Sequence, residues 1–177
     1  TPPNQLDLEV SAGDSDITED TLYFSDDVTV SQGYRTLKAQ EVIMDRVEQT
    51  LSAQGPIEVR EPGILMYGDQ ITYDSVSERA SLSDAEFVMY EQQLYGIAES
   101  VTRDANGSLE IEDGRLTFCA PTDPSWLVTA ETLNVDPNTN TGEAWGARID
   151  IKGVPVAYLP WVQFPLNDRR KTGLLFP

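Results

Sequence analysis

The sequence predicts an all-β chain: a rolled, solenoid-like sheet built from repeated two-strand units. Three observations predict it. Short segments recur at near-constant spacing. Apolar and polar residues alternate with period two, the mark of half-buried strands. No long stretch keeps the 3.6-residue apolar period of a packed helix.

The recurring segments are Ala39-Gln40-Glu41-Val42, Gly68-Asp69-Gln70-Ile71, Ala98-Glu99-Ser100-Val101 and Ala130-Glu131-Thr132-Leu133, at intervals of 29, 30 and 32 residues. Each opens on a small residue and closes on an apolar one. Six residues after each small residue stands an aspartate: Asp45, Asp74, Asp104 and Asp136. A second small residue follows in each copy: Gly55, Ala85, Gly114 and Ala147. Alternating apolar pairs come next: Ile57 and Val59, Phe87 and Met89, Leu116 and Phe118, Ile149 and Ile151. A partial copy, Asp27-Val28-Thr29-Val30, precedes them. Turn-rich segments separate the strands, among them Glu61-Pro62-Gly63, Asn106-Gly107 and residues 137–142.

The apolar phase slips by one position just after the small residue. Leu37 and Ala39 share one parity, and Val42 and Met44 take the other. A bulge or corner produces such a slip, and a small residue tolerates the crowding there. Units with corners stack into a rolled sheet with a lengthwise apolar interior, each burying its face against its neighbours. The terminal strands of such a sheet keep open edges.

Length and charge narrow the functions. The 177 residues suffice for one domain with a sizeable core. No apolar run approaches the roughly 20 residues of a membrane-spanning helix. The start, Thr1-Pro2-Pro3-Asn4-Gln5, is not a signal peptide, consistent with a chain that begins after one. Thirty acidic residues against twelve basic ones leave a net charge of −18. That surface repels phosphates and argues against nucleic acid as a partner.

Catalytic and metal chemistry find little support. The recurring aspartates stand singly, whereas calcium needs six to eight oxygen ligands gathered in one loop. A turn role suits them better, because aspartate hydrogen-bonds nearby backbone. The chain has no histidine, the commonest general base. Its serines lack the G-x-S-x-G setting, and no P-loop or G-x-G-x-x-G is present. Among thirty acids some carboxylates must pair by chance, but no motif marks a glycosidase pair. The expectation is no catalytic residue, no metal and no cofactor. The single Cys119 reads either as a buried apolar thiol or as one whose partner lies outside this segment.

The C-terminal end differs in character. Residues 154–165 are rich in proline and aromatics, and Asp168-Arg169-Arg170-Lys171 carries a quarter of all basic residues. Two readings stand: a covering strand with a solvated basic turn, or a junction into a further domain near a membrane interface. The abrupt apolar ending, Leu174-Leu175-Phe176-Pro177, favours the junction. The division is residues 1–153 for the rolled domain and 154–177 for a closing strand and junction.

Two motifs carry a family resemblance. One runs from Tyr158-Leu159-Pro160-Trp161 through Phe164-Pro165-Leu166-Asn167-Asp168-Arg169-Arg170-Lys171-Thr172-Gly173. The other is Thr117-Phe118-Cys119-Ala120-Pro121 through Asp123-Pro124-Ser125-Trp126. With the repeats, they resemble the LPS-assembly protein (LptD) family of Gram-negative outer membranes, over nearly all the chain from about residue 20.

The resemblance implies an antiparallel β-jelly roll in the periplasm, part of the outer-membrane lipopolysaccharide translocon. The domain would receive lipopolysaccharide from the bridge protein LptA through its N-terminal edge strand. It would pass the lipid to a barrel plugged by the lipoprotein LptE. Cys119 would form a disulfide with the absent barrel. Pro160, Trp161, Phe164, Pro165, Asp168, Arg169 and Arg170 would mark the barrel junction. Acyl chains would lie in an apolar trough lined by Val28, Val30, Leu37, Ile57, Val59 and Met66, continued by Phe87, Met89, Leu116, Phe118, Ile149 and Ile151. A purely structural repeat module, such as an adhesin-like stalk without lipid binding, is the alternative; there the same residues fill a closed core.

Overall fold

The computed structural model describes residues 7–90, 93–117, 125–136 and 138–165. Every regular element in them is a strand: β1 (Glu9–Ser11), β2 (Asp14–Ile17), β3 (Thr21–Gln32), β4 (Arg35–Asp45), β5 (Thr50–Glu61), β6 (Ile64–Asp74), β7 (Arg79–Met89), β8 (Leu94–Arg103), β9 (Leu109–Thr117), β10 (Trp126–Asp136), β11 (Thr141–Ile151) and β12 (Val154–Pro165). They form one antiparallel meander in the order β1-β3-β4-β5-β6-β7-β8-β9-β10-β11-β12, with β2 also pairing β3. β12 pairs with neither β1 nor β2, so the curled sheet stays unclosed. The boundary after residue 153 falls in the turn between β11 and β12, and β12 is the last strand of the same sheet.

The strand register aligns the repeats into lines across the sheet. One line of paired residues runs Leu37, Val59, Met66, Phe87, Gly96, Leu116, Val128 and Ile149. A second runs Val42, Ala53, Ile71, Leu82, Val101, Ile111, Leu133 and Ala144. In β4 the step from Ala39 to Val42 is three residues, yet both are buried. A regular strand would send them to opposite faces. A register shift between Lys38 and Glu41 returns them to one face. Comparable shifts fall at Ser25/Val28 and Gln54/Ile57. The expected corner is therefore present, and it sits at the small residues.

Left-handed backbone marks the corner in every second strand. Asp26 and Asp27 in β3, Gly55 in β5, Asp84 in β7, Asp113 in β9 and Gly146 in β11 all have positive φ. Aspartate and glycine reach this region at the least cost. The register also corrects one alignment made from sequence. Ile57, not Gly55, pairs with Gly68 on the inner face, in the place that Ala85, Gly114 and Ala147 take in later units. Gly55 is the bulged residue itself, with φ at 96° and its missing Cβ aimed at the Gln40 side chain.

The turn aspartates act on backbone as their chemistry suggests. Asp45 Oδ1 accepts from the N–H of Val47 at 2.8 Å and of Glu48 at 2.9 Å. Asp74 Oδ1 accepts from Val76 and Ser77 at 2.8 and 3.0 Å, and Asp136 Oδ1 from Asn138 at 2.8 Å. Asp104 departs from the pattern. There Asn106 Oδ1 accepts from Ser108 N–H, and the Asp104 carboxylate faces Arg79 at 3.4 Å.

Two outcomes test this account. A Cβ on Gly68 would lie 2.6 Å from Leu82 Cδ1 and 2.7 Å from the Ser83 carbonyl oxygen. Gly68→Ala should lower the urea midpoint, by about 1–3 kcal/mol in stability. Asp74 is held below the usual carboxylate range by the N–H groups of Ser77 and Val76. A carboxyl depressed in the folded state adds stability above its unfolded pKa and loses it as pH falls through the folded value. Asp74→Ala should therefore be less stable than the parent near neutral pH, with the gap closing below about pH 4.

Candidate functional site: an apolar inner face

Burial follows the inner lines. Val28, Val30, Val42, Ala53, Ile57, Leu82, Phe87, Val101, Ile111, Leu133 and Ala144 are buried. Leu37, Val59, Met66, Met89 and Leu116 pack against them half-buried. Between the lines the row is small apart from Ile57: Gly68, Ala85, Ala98, Gly114, Ala130 and Ala147. Phe87 lies over Gly96, whose missing Cβ would run into the ring. The result is one continuous apolar face running across β3 to β12.

The expected lining residues fall into place unevenly. Val28, Val30, Leu37, Ile57, Val59, Met66, Phe87, Met89, Leu116 and Ile149 all have inner-face register. Ile151 pairs with Trp126 at the strand end and is 49% exposed, so it stands at the rim. Phe118 and Cys119 lie outside the described residues, as do Asp168, Arg169 and Arg170. Of the junction residues, Pro160, Trp161, Phe164 and Pro165 are in β12. Trp161 pairs with Trp145 and is 52% exposed, and Phe164 lies over Gly142. The second inner line was not in the expected lining. Its signal was nonetheless in the repeat, since Val42, Ile71, Val101 and Leu133 are the residues that close each copy.

Charge is segregated by face. Of the charged side chains in β4 to β12, the register puts Arg35, Glu61 and Arg103 on the inner face. These three meet. Arg35 Nε lies 3.3 Å and Arg103 Nη1 4.0 Å from Glu61 Oε1. β5 and β8 are separated by β6 and β7, so this contact records the sheet folding over its own inner face. The sequence reading missed it. The remaining charges face outward. Glu58 sits between Lys38 at 3.5 Å and Arg60 at 2.6 Å. Arg60 chiefly holds the Glu58 carboxyl below its usual range. Asp150 is buried against Arg148, which donates to Oδ2 at 2.8 Å. Among the described residues no three histidine, cysteine or acidic side chains converge to hold a metal.

An unclosed antiparallel roll with one largely apolar inner face and nearly all its strand charges outside defines a class: an open β-jelly roll. Residues 9–141 match the family described as "LptA/(LptD N-terminal domain) LPS transport protein", and the chain belongs to it. The LPS-assembly protein LptD of Shewanella denitrificans is 34% identical over 155 residues, 88% of this chain. That of Saccharophagus degradans is 30% identical over 176 residues, 99% of this chain. The chain spans about a fifth, 20%, of the length of these relatives. Among solved structures, LptH of Pseudomonas aeruginosa, described as the LptA-homologous periplasmic component of the lipopolysaccharide transport device, matches with a TM-score of 0.51. That match has 20% identity and covers 59% of this chain and 80% of LptH, a likeness of fold.

The outer corner carries a testable electrostatic burden. Asp84, Glu99 and Asp113 stand on neighbouring strands. The Glu99 carboxyl is raised above its usual range, first by its hydrogen bond with Asp113, then by that residue's charge and by burial. A carboxyl raised in the folded state costs stability above its folded pKa, and the cost is relieved as pH falls through it. Glu99→Gln should raise the melting temperature near neutral pH, and the gain should shrink on mild acidification.

Proposed function

We propose that this domain holds the acyl chains of lipopolysaccharide on its apolar inner face and passes the lipid to an outer-membrane barrel in the absent remainder of the protein. The carrying observation is the continuous apolar face on a sheet that does not close. Each methylene removed from water gains roughly 0.8 kcal/mol. A chain of about a dozen carbons laid on that face gains on the order of 9 kcal/mol. Family membership favours this reading over a structural repeat module without lipid binding. Neither the family nor the described residues point to catalysis, and we read the domain as a carrier.

The two sheet edges suit different neighbours. The N-terminal edge, β1 and β2, contains no proline, so its backbone can take a further strand. This is where the bridge protein LptA would dock. β12 contains Pro155, Pro160 and Pro165, which lack the N–H that pairing requires. It suits the barrel junction, with LptE inside the barrel and Cys119 bonded to the barrel's far end. The domain would then sit in the periplasm beneath the outer membrane.

Photo-crosslinking in cells tests the trough. Probes at Val59 and Phe87 should capture lipopolysaccharide, and a probe at outward Glu58 should not. Silence at every inner position would leave a repeat scaffold.

A further inference from the structure

We infer that Arg35 and Arg103 form a phosphate-binding subsite at the lip of the apolar face, taking the phosphate monoester of an amphiphile whose chains lie inside. This rests on the trough reading above and names where its charged head is held. Three observations carry it. First, the only inward charges of β4 to β12 converge on one point. Second, they sum locally to +1 in a chain of net −18. Third, Arg35 Nε is shut off from solvent and has no hydrogen-bond acceptor, despite its 3.3 Å approach to Glu61.

Glu61 is a poor match for two guanidinium groups. A single oxygen, Oε1, serves both, at 3.3 and 4.0 Å, and the three side chains are 27–46% exposed. Exposed pairs of this kind contribute little. A phosphate monoester offers three strong acceptor oxygens and up to two negative charges, and arginine forks match it bidentately. It can take Arg35 Nε and the Arg103 fork at once, with Glu61 swinging aside. The surroundings fix the kind of ligand. Glu61 pairs with Ile64, Ile64 with Met89, and Arg103 with Leu109, so the subsite opens onto apolar wall. A phosphate held there has its hydrocarbon directed along the inner face.

The test is a displacement titration of an apolar dye from the 177-residue chain. Dodecyl phosphate, dodecyl maltoside and inorganic phosphate serve as competitors, the first two below their micelle-forming concentrations. Dodecyl phosphate should bind more tightly than the maltoside. Arg35→Gln and Arg103→Gln should each weaken the phosphate about tenfold, a charged hydrogen bond's worth, and leave the maltoside unchanged. Glu61→Gln, which removes the competing carboxylate, should tighten it. Arg79→Gln, the same charge change on the outer face, should do nothing.

Other outcomes overturn the inference. Equal affinity for the two dodecyl ligands would do so, as would an Arg79→Gln effect matching the lip variants. If Arg103→Gln and Glu61→Gln shift both ligands in one direction, the ion pairs are a latch across the lip. Inorganic phosphate binding as tightly as dodecyl phosphate would remove the amphiphile. If neither dodecyl ligand displaces the dye, the trough reading itself fails, a result distinct from all of these.

Discussion

The whole sheet depends on how closely neighbouring strands approach where they turn the corner. The row of Gly68, Ala85, Ala98, Gly114, Ala130 and Ala147 is small, with Ile57 in β5 its large member, and at Gly68 a Cβ would collide with Leu82 and the Ser83 backbone. Close approach there lets each strand bend and slip phase by one residue. That slip keeps both halves of the strand facing inward. Without it, the second inner line from Val42 to Ala144 would point to solvent, and the acidic outer line would be buried. The phase slip at this one row thus decides the facing of the rest of each strand.

The same geometry separates charge from hydrocarbon. In β4 to β12 every carboxylate except Glu61 lies on the outer face or at the corner. Aspartate at the bulges has a second use, since Asp84 and Asp113 occupy left-handed backbone that few residues tolerate. The crowding of like charges at the corner is the cost of that arrangement, and Glu99 registers it. The inner face, by contrast, keeps its strand charge at the one place where Arg35, Glu61 and Arg103 meet. That division is what the proposed carrier role would require, since hydrocarbon and a charged head would be held in separate places.

How much of this was legible before the structure varied with the range of the interaction. The strands, their corner and the turn aspartates follow from local rules, and the repeat shows each of them several times. Ten of the twelve expected lining positions have inner-face register for the same reason. Gly55 was misaligned because the Gly55-Pro56 bulge adds one residue that the other copies lack. Ile151 shares the inner parity, yet strand ends lie at the rim, where parity no longer implies burial. The meeting of Arg103 with Glu61 had no signal at all. It depends on curvature summed over several strands, and no short window of sequence contains it.

From β3 onward each strand pairs with its immediate neighbours along the meander, and the repeat unit is a two-strand hairpin of about thirty residues. Length is therefore a modular quantity. Duplicating or deleting one hairpin changes the groove by two strand spacings, roughly 9.6 Å, and leaves every remaining rung in register. A lineage could match the span of its envelope in such steps without inventing a new interface.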